Sequence, residues 1–382
     1  MPAVRPRSRL LLPVVVASAL ALAACGNAPT KSSSGGTSGA NAGAASATSA
    51  AALGGIDGLV TAAKKEGALN VIALPPDWTN YDEVISTFSK KYGVKVNSAQ
   101  PDGSSQDEIN AAKQLKGTDR APDVFDLGPA VATANADLFA PYQTQVFGDV
   151  AADLKDPQGR YVSDYGGLMS IGYDPKAVPA PTSVQDLLKP AYKGKVALNG
   201  DPTQAGAAFA GVVMAALGNG GSADDVAPGV AFFTKLKKAG NFLPVDPTPA
   251  TISSGQTPVV IDWDYSNAAQ TEALAGKRDW KVVVPAGAVV SSYYVQAISK
   301  DAPHPAAARL WEEFLYSDEG QNLWLKGFGR PVRAEAMVKK GTIDQAAFAK
   351  LPASGGTQVS LTQAQSDKAK AYLAANWAKA IS

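Results

Sequence analysis

The sequence predicts an α/β protein of two lobes with a ligand cleft between them. The chain has 382 residues. About 320 remain after an amino-terminal export segment and a linker, more than one hydrophobic core usually supports. Short apolar strands alternate with helical patterns in both halves. Two longer apolar runs, residues 166–173 and 288–299, read as extended segments that cross between the lobes.

The amino terminus has the pattern of a bacterial export signal followed by a tether. Arginines precede an apolar run at 10–24, which is too short and wrongly flanked for a membrane span. The ending Leu22-Ala-Ala-Cys25 is similar to a lipobox, which implies cleavage before Cys25 and a lipid on that cysteine. Residues 26–55 are mostly Gly, Ser, Ala and Thr. This composition predicts a flexible tether with a reach on the order of 30 Å.

The first lobe, predicted at 56–168, opens with a helix and a buried strand at 68–74. Polar and aromatic residues follow the strand, namely Asp77 and Trp78, with Tyr81 opening the next helix. Ligands of open α/β sheets bind outside the carboxyl ends of the strands. We therefore take these three residues as candidate ligand contacts. The alternative is a helix-entry turn with a packed indole.

Two further strands end in loops of the kind that bind ligands. The strand at 123–127 runs into Gly128, and a glycine lets the backbone approach a ligand closely. The strand at 196–199 leads to Thr203, which we expect at the start of an alanine-rich helix. Free N–H groups at a helix start attract anions. The alternative, which the sequence favours for Thr203 taken alone, is a plain N-cap.

The most informative stretch is VVIDWDYSNAA at 259–269. Its first residues form a buried strand that leads directly into Asp262, Trp263 and Asp264. Acidic and aromatic groups at this position predict the ligand pocket. The alternative is that the aspartates cap a helix and that the tryptophan belongs to the core.

The second crossing run contains Tyr293 and Tyr294 side by side. Neighbours in a strand face opposite sides, so at most one of them points into the cleft unless a bulge intervenes. The single histidine, His304, lies between two prolines ahead of a helix, and we interpret it as a surface turn residue.

These segments give the predicted domain organisation. It comprises a signal peptide at 1–24, a lipidated cysteine with its tether at 25–55, a first lobe at 56–168 completed by part of the C-terminal segment, a second lobe at 169–290, and a crossing strand with C-terminal helices packed on both lobes at 291–382.

Composition argues against several classes of function. The chain has 35 basic and 34 acidic residues and no basic block, so it lacks the electrostatic footprint of a nucleic-acid binder. One cysteine and one histidine leave no zinc site built from these residues and no disulfide within the chain.

An enzyme is also disfavoured. A catalytic triad lacks a suitable histidine, and no phosphate-loop pattern is present. Asp262 and Asp264 lack a second, separated carboxylate for glycoside hydrolysis. We therefore predict no enzyme, no metal and no cofactor.

Four stretches resemble the solute-binding proteins of bacterial ABC importers, of the type with two crossing strands. They are YDEVISTFSKKYGVKV, APDVFDLGP, LLKPAYKGKVALNGDP and HPAAARLWEEFLYSDEGQNLWLKGFGRPVR, and the resemblance spans 67–335. It implies a type 2 periplasmic-binding-protein fold whose lobes close on a small solute. It also implies that the closed form, a monomer anchored on the outer face of the membrane, docks on an ABC permease.

The resemblance leaves the solute open. Trp78, Tyr81 and Trp263 stand where polyamine binders place aromatic residues, and Asp77, Asp262 and Asp264 are suited to pair with ammonium groups. Paired tyrosines are typical of ferric-iron binders, which keeps ferric iron as the alternative. An anionic solute is disfavoured by the nearby carboxylates. A surface sensor or scaffold with the same fold is the alternative from another class.

Overall fold

The computed structural model describes residues 43–76, 78–101, 103–353 and 356–382. The strands are β1 (Ala68–Ile72), β2 (Lys95–Ala99), β3 (Val124–Leu127), β4 (Phe139–Ala140), β5 (Val162–Tyr173), β6 (Val196–Leu198), β7 (Val259–Trp263), β8 (Lys281–Val283), β9 (Ser291–Ser299) and β10 (Arg330–Pro331). The helices are α1 (Gly55–Glu66), α2 (Tyr81–Tyr92), α3 (Ser105–Gln114), α4 (Pro129–Ala134), α5 (Gly206–Gly218), α6 (Ala227–Lys238), α7 (Pro249–Ser254), α8 (Asp264–Ala273), α9 (Pro305–Tyr316), α10 (Asp318–Lys326), α11 (Ala334–Lys340), α12 (Gln345–Phe348) and α13 (Gln363–Ile381).

The strands form one small sheet and one extended sheet. β1 and β2 pair in parallel by themselves. The extended sheet has the order β3-β9-β5-β7-β6, with β4 beside β9 and with β8 and β10 beside β5. We call β1–β4 with α1–α4, α9 and α10 the first lobe, and β6–β8 with α5–α8 and α13 the second lobe.

Two strands pass between the lobes, as the sequence predicted. The first part of β5 pairs with β9 and β10, and its last five residues pair with β7. The carboxyl-terminal part of β9 pairs with β3 and β4 of the first lobe. All of β5 is buried, because strands of both lobes flank it. The α/β fold with two crossing strands is thus confirmed, and β5 starts earlier than predicted, at Val162.

Each lobe has a core of its own. In the first lobe, Trp311 of α9 packs against Phe88 of α2, with ring centroids 5.1 Å apart. In the second lobe, Trp377 of α13 packs against Phe233 of α6, also at 5.1 Å. The C-terminal helix therefore joins the second lobe, although the preceding α10 packs on the first.

Part of the predicted tether packs on the first lobe instead of extending into solvent. Ala44, Ala47 and Ala50 are at most 4% exposed. The buried Arg309 of α9 donates from Nε and Nη2 to the carbonyls of Ala47 and Ala45, both at 2.7 Å. Small side chains allow this close approach, and the carbonyls satisfy a guanidinium that would otherwise be costly to bury. The low-complexity composition of residues 26–55 did not predict this contact. The buried residues Ala44, Ala47 and Ala50 are therefore not part of a flexible tether, although the sequence predicted one up to residue 55.

Candidate functional site

A cavity of about 160 Å³ lies where the two lobes meet. The first lobe contributes Trp78 and Thr79 from the loop after β1, and the second lobe contributes the carboxyl ends of β6 and β7 with the start of α8. The second-lobe lining residues are Asn199, Pro247, Thr248, Pro249, Ile252, Val260, Asp262, Tyr265, Ser266, Asn267 and Gln270. This is the edge of the sheet at which the sequence predicted a pocket.

Asp262 is the one charged residue that lines this cavity in the described part of the chain. Its Oδ1 accepts the backbone N–H of Trp263 at 2.7 Å. Burial raises the pKa of Asp262 to about 6, while hydrogen bonds from Asn199 and Ser266 act in the opposite direction. The carboxylate is therefore held in a poorly solvated place without a cationic partner, where a ligand cation would stabilise it.

Aromatic rings from both lobes meet beside the cavity. Trp78 of the first lobe contacts Tyr265 of the second edge-on, with centroids 5.4 Å apart, and Tyr294 of β9 at 5.9 Å. Tyr294 in turn stacks on Tyr165 of β5 at 5.5 Å and an interplanar angle of 14°. These contacts join the two lobes, and Trp78 and Tyr265 give the cavity aromatic walls.

The cavity wall also connects to a buried carboxyl group of the first lobe. Trp78 donates from Nε1 to the Tyr165 hydroxyl at 2.7 Å. The hydroxyls of Tyr165 and Tyr81 both donate to Oδ2 of Asp126, at 3.2 and 2.6 Å. Burial raises the pKa of Asp126 to about 7. Tyr81, predicted as a direct ligand contact, therefore holds Asp126 from within the core.

Two polar atoms of the lining are left without a partner. The Thr79 hydroxyl and the Tyr265 hydroxyl are buried, and neither forms a hydrogen bond in the described structure. An unsatisfied buried hydroxyl costs free energy of roughly 1–3 kcal/mol. A bound solute that pairs with them would recover this cost.

Asp264 differs from its prediction as a ligand carboxylate. Its Oδ1 accepts the backbone N–H of Leu168 at 2.8 Å, and its Oδ2 accepts both Nε and Nη2 of Arg330, at 3.1 and 2.8 Å. The Asp264 side chain is fully buried and does not line the cavity. Asp264 instead fastens the start of α8 to β5 and β10, so this carboxylate is occupied inside the protein.

Trp263 also differs from its predicted role. The side chain is 4% exposed within the second-lobe core and stacks behind Tyr265 at 6.2 Å and 16°. Tyr265, rather than Trp263, forms the cavity surface. The sequence predicted that the Trp263 indole contacts the solute directly. In the structure the indole instead supports the Tyr265 ring, which forms the cavity surface.

The two adjacent tyrosines of β9 face opposite sides of the sheet. Tyr294 joins the aromatic cluster with Trp78, whereas Tyr293 pairs across the sheet with Gly166. A Cβ atom at Gly166 would lie 2.7 Å from the Tyr293 ring, so only glycine leaves room for that ring. Tyr294 is therefore the member of the pair that lies at the lobe junction.

The remaining predicted positions lie away from the cavity lining or outside the described residues. The Gly128 backbone N–H is bound by Ser105 Oγ at 2.9 Å. Thr203 hydrogen-bonds to Asp201, and α5 starts later than predicted, at Gly206. Asp77 and Cys25 lie outside the described residues.

His304 is not the surface turn residue that the sequence indicated. Its side chain is 17% exposed, and its Nδ1 lies 2.9 Å from Oδ2 of the buried Asp123. The Asp123 hydrogen bond is the main factor that raises the pKa of His304. The pair connects β3 to the start of α9, a contact between residues far apart in the chain.

Comparison with known proteins identifies the family. Residues 123–353 match the family of bacterial extracellular solute-binding proteins. The chain belongs to this family. Its resemblance to solute-binding proteins is thereby confirmed, and membership implies a location outside the cytoplasm. Among the residues described, no helix is both long and apolar enough to cross a membrane.

Solved structures share the fold of this solute-binding protein at low sequence identity. Iron-bound HitA from Pseudomonas aeruginosa matches with a TM-score of 0.60 and 20% identity over 82% of this chain and 99% of its own. An ABC transporter substrate-binding protein from Bradyrhizobium japonicum gives 0.61 and 15%, over 83% and 100%. A Listeria monocytogenes protein assigned by name to spermidine and putrescine transport gives 0.58 and 14%, over 82% and 98%. At these identities the likeness extends to the fold alone.

Sequence reasoning missed three residues of this solute-binding protein's junction, namely Asp126, Tyr165 and Tyr265. Asp126 and Tyr165 lie inside strands whose apolar neighbours predict a core. Tyr265 follows Asp264 directly, within the stretch that predicted the pocket, but only the three residues before it stood out as candidate contacts. The available signal was a polar residue within an otherwise apolar strand, which requires a buried partner.

Proposed function

We propose that this solute-binding protein serves an ABC importer from the outer face of the cell membrane. In this proposal the lobes at 56–168 and 169–290 capture a small organic cation, with polyamines the leading class, and the closed protein delivers it to a membrane permease. The observation that carries the proposal is Asp262, a buried carboxylate in the wall of the interlobe cavity that has no cationic partner in the described part of the chain.

The chemistry of the cavity favours a cation. An ammonium group would form a charge-assisted hydrogen bond to Asp262. The faces of Trp78 and Tyr265 attract the same charge and pack on methylene groups. An anionic solute would instead meet the carboxylate without any basic residue among the described lining groups. Asp262, Trp78, Tyr265 and Tyr294 are therefore the proposed solute contacts.

Ferric iron is the second candidate. The Tyr165 ring contacts those of Tyr265 and Tyr294, at centroid distances of 6.3 and 5.5 Å, and phenolate oxygen is a hard ligand suited to a hard cation. Against it, Tyr293 and Tyr294 face opposite sides and cannot bind the same ion. The organic cation accounts better for the aromatic faces.

A thermal-shift screen tests the solute class. The chain from residue 26 onward, stripped of bound solute, is heated with putrescine, spermidine, ferric citrate, amino acids, phosphonates and sugars. A solute at a hundred times its Kd stabilises the native state by about 2.7 kcal/mol, which is a clear shift in Tm. Stabilisation by ferric citrate alone, or by an anion alone, would contradict the organic-cation proposal.

Lipid attachment at Cys25 is the proposed link to the membrane. A Cys25→Ser chain is expected in the soluble fraction after cell lysis, whereas the wild-type chain sediments with membranes. Sedimentation of both chains would contradict lipid attachment at this residue. Uptake of the identified solute, measured in cells with and without the gene, separates an importer from a surface sensor of the same fold.

A further inference from the structure

Asp126 is a buried carboxyl group that lies behind the cavity wall. It is 7% exposed and sits near the end of β3. Its Oδ2 accepts the hydroxyls of Tyr81 and Tyr165, but its Oδ1 is buried without any hydrogen-bond partner in the described structure. None of the ion pairs among the described residues includes Asp126. Burying an ionised carboxylate with an unpaired oxygen costs a large free energy, whereas burying the protonated carboxyl costs much less.

The groups around Asp126 are acidic or phenolic on every packed element. Glu108 of α3 accepts the Asp126 backbone N–H at 3.0 Å, and Asp164 of β5 is joined to Tyr81 through the amide of Gln296. The other ionisable neighbours are Tyr81, Tyr165, Tyr265, Tyr294, Glu312 and Tyr316. The cation Arg309 acts on Glu312 rather than on Asp126. None of these described neighbours is basic, so none of them would compensate a negative charge on the Asp126 side chain.

A short hydrogen-bond chain links this carboxyl group to the solute cavity. Trp78, whose ring lines the cavity, donates to Tyr165, and Tyr165 donates to Asp126. Tyr294 lies against Trp78 and within electrostatic range of both Asp126 and Asp262. A positive charge brought into the cavity would therefore act on Asp126 through a poorly solvated region.

We propose that Asp126 helps to select the charge of the solute: it holds a proton in the solute-free closed protein and releases it to solvent when a cation enters the cavity. This inference rests on the proposed function, since it requires a cationic solute. A proton on Oδ1 removes the buried charge and leaves both tyrosine hydrogen bonds to Oδ2 in place. Asp126 would then be a positioning residue that acts on the solute through Tyr165 and Trp78.

Burial accounts for the direction of the expected pH dependence. It raises the pKa of Asp126 to about 7, and the pKa of Asp164 rises well above its usual range for the same reason. A bound cation favours the ionised carboxylate and lowers the pKa of Asp126. Solute affinity should therefore rise with pH up to about 7, by as much as tenfold per pH unit, and then level off. Asp262 adds a separate dependence around pH 6.

Calorimetric titration of putrescine into the full mature chain tests the coupling. The wild type, Asp126→Asn and a surface control, Asp279→Asn, are compared from about pH 6 to 8 in phosphate and in imidazole, which both buffer in this range and differ in ionisation enthalpy. We expect the wild type and the control to release up to one more proton at pH 6.5 than Asp126→Asn. Equal proton release in all three chains would overturn the proposal.

A second variant separates this role from a purely structural one. Tyr165→Phe removes a hydroxyl that stabilises the ionised form of Asp126, so the midpoint of the pH dependence should move to higher pH. A loss of affinity that is uniform across the pH range would contradict the proposal. This variant also keeps the test available if Asp126→Asn fails to fold.

A measurement without solute distinguishes failure of this inference from failure of the proposed function. The infrared band of a protonated carboxyl should be present in the solute-free chain at pH 7 and reduced in Asp126→Asn. Absence of the band, or a band unchanged by the substitution, would overturn the inference. A wild-type chain that shows the band but binds no cation would refute the proposed function, and the coupling to solute with it.

Discussion

Asp262 and Asp264 lie two residues apart at the end of β7, yet they have opposite environments. Asp264 is bound by Arg330 and by the Leu168 backbone N–H, so both of its oxygens have partners within the protein, although burial still raises its pKa. Asp262 faces the cavity with no cationic partner among the described residues, and its pKa is raised to about 6. The difference shows that the end of a strand supplies the candidate carboxylates. Partners from distant parts of the chain, here Arg330 and Leu168, then decide which of the two is free for a ligand.

Replacement of Asp264 should give the largest loss of stability. Asp264→Ala leaves the guanidinium of Arg330 poorly compensated in a site where its side chain is 20% exposed. Breaking a buried pair from one side costs about 3–5 kcal/mol of unfolding free energy. Urea unfolding of the solute-free protein measures this loss. The double variant Asp264→Leu with Arg330→Met should recover much of it, and a cost below 1 kcal/mol for the single variant would contradict a structural role.

Replacement of Trp263, which lies between the two aspartates, should lower the free energy of unfolding by nearly as much. Trp263→Ala removes a core indole and leaves a cavity behind Tyr265, with an expected loss of about 3–5 kcal/mol. Solute affinity should fall as well, because Tyr265 loses the ring that supports it. Trp263→Phe is the matched control and should lose less of both quantities. Near-wild-type stability of Trp263→Ala would show that the indole lies in the pocket and not in the core.

Asp262→Asn should separate binding from stability. The folded-state pKa of about 6 lies above the unfolded value, so the wild-type carboxyl favours folding below pH 4 and loses that contribution as pH rises through 6. Asparagine does not titrate. The stability of the variant relative to wild type should therefore increase by roughly 3 kcal/mol between pH 4 and pH 8.

The same variant should bind a cationic solute about 10–100-fold more weakly at pH 7.5, because one charge-assisted hydrogen bond is lost. Unfolding at the two pH values and calorimetric titration give the two results. Asp279→Asn, which removes an exposed carboxylate, should change neither. A variant that loses stability at pH 8 and keeps its affinity would place Asp262 with Asp264 as a structural residue.

Gly167→Ala should have the smallest effect. It should disturb both Asp264 and the Tyr265 ring, which lines the cavity with Asp262. A Cβ atom at this position would lie 2.6 Å from the Tyr265 ring and 3.1 Å from Oδ1 of Asp264. Overpacking of this kind costs about 1–3 kcal/mol. Solute affinity should fall together with stability, since the Tyr265 ring must shift. Gly148→Ala, where a Cβ meets no atom within 4 Å, is the control, and equal behaviour of the two variants would contradict the close packing.

Several features of the molecule could be predicted from local sequence. The alternation of strands and helices, the two crossing runs and the resemblance of four stretches led to the fold and the family. The loops after β1 and β7 were expected at the ligand edge, and Trp78 and Asp262 do line the cavity there. Such features follow from periodicity and strand ends, which a few consecutive residues encode.

Other features required the tertiary structure. Arg330 lies 66 residues from Asp264, and Tyr165 lies 39 residues from Asp126, so no local pattern connects either pair. The orientation of Tyr294 toward the lobe junction depends on the register of β9 against Gly166 of β5. The docking of Ala45 and Ala47 on Arg309 spans more than 260 residues.

The sequence by itself determined the class of fold, the family and the edge of the sheet at which the interlobe cavity lies. Only the tertiary structure decided which carboxylate is free, which tyrosine faces the cleft and which carboxyl group lies buried behind it. The physical reason is that a buried charge is governed by the partners within a few ångströms of it. Strand register and helix packing choose those partners from distant parts of the chain.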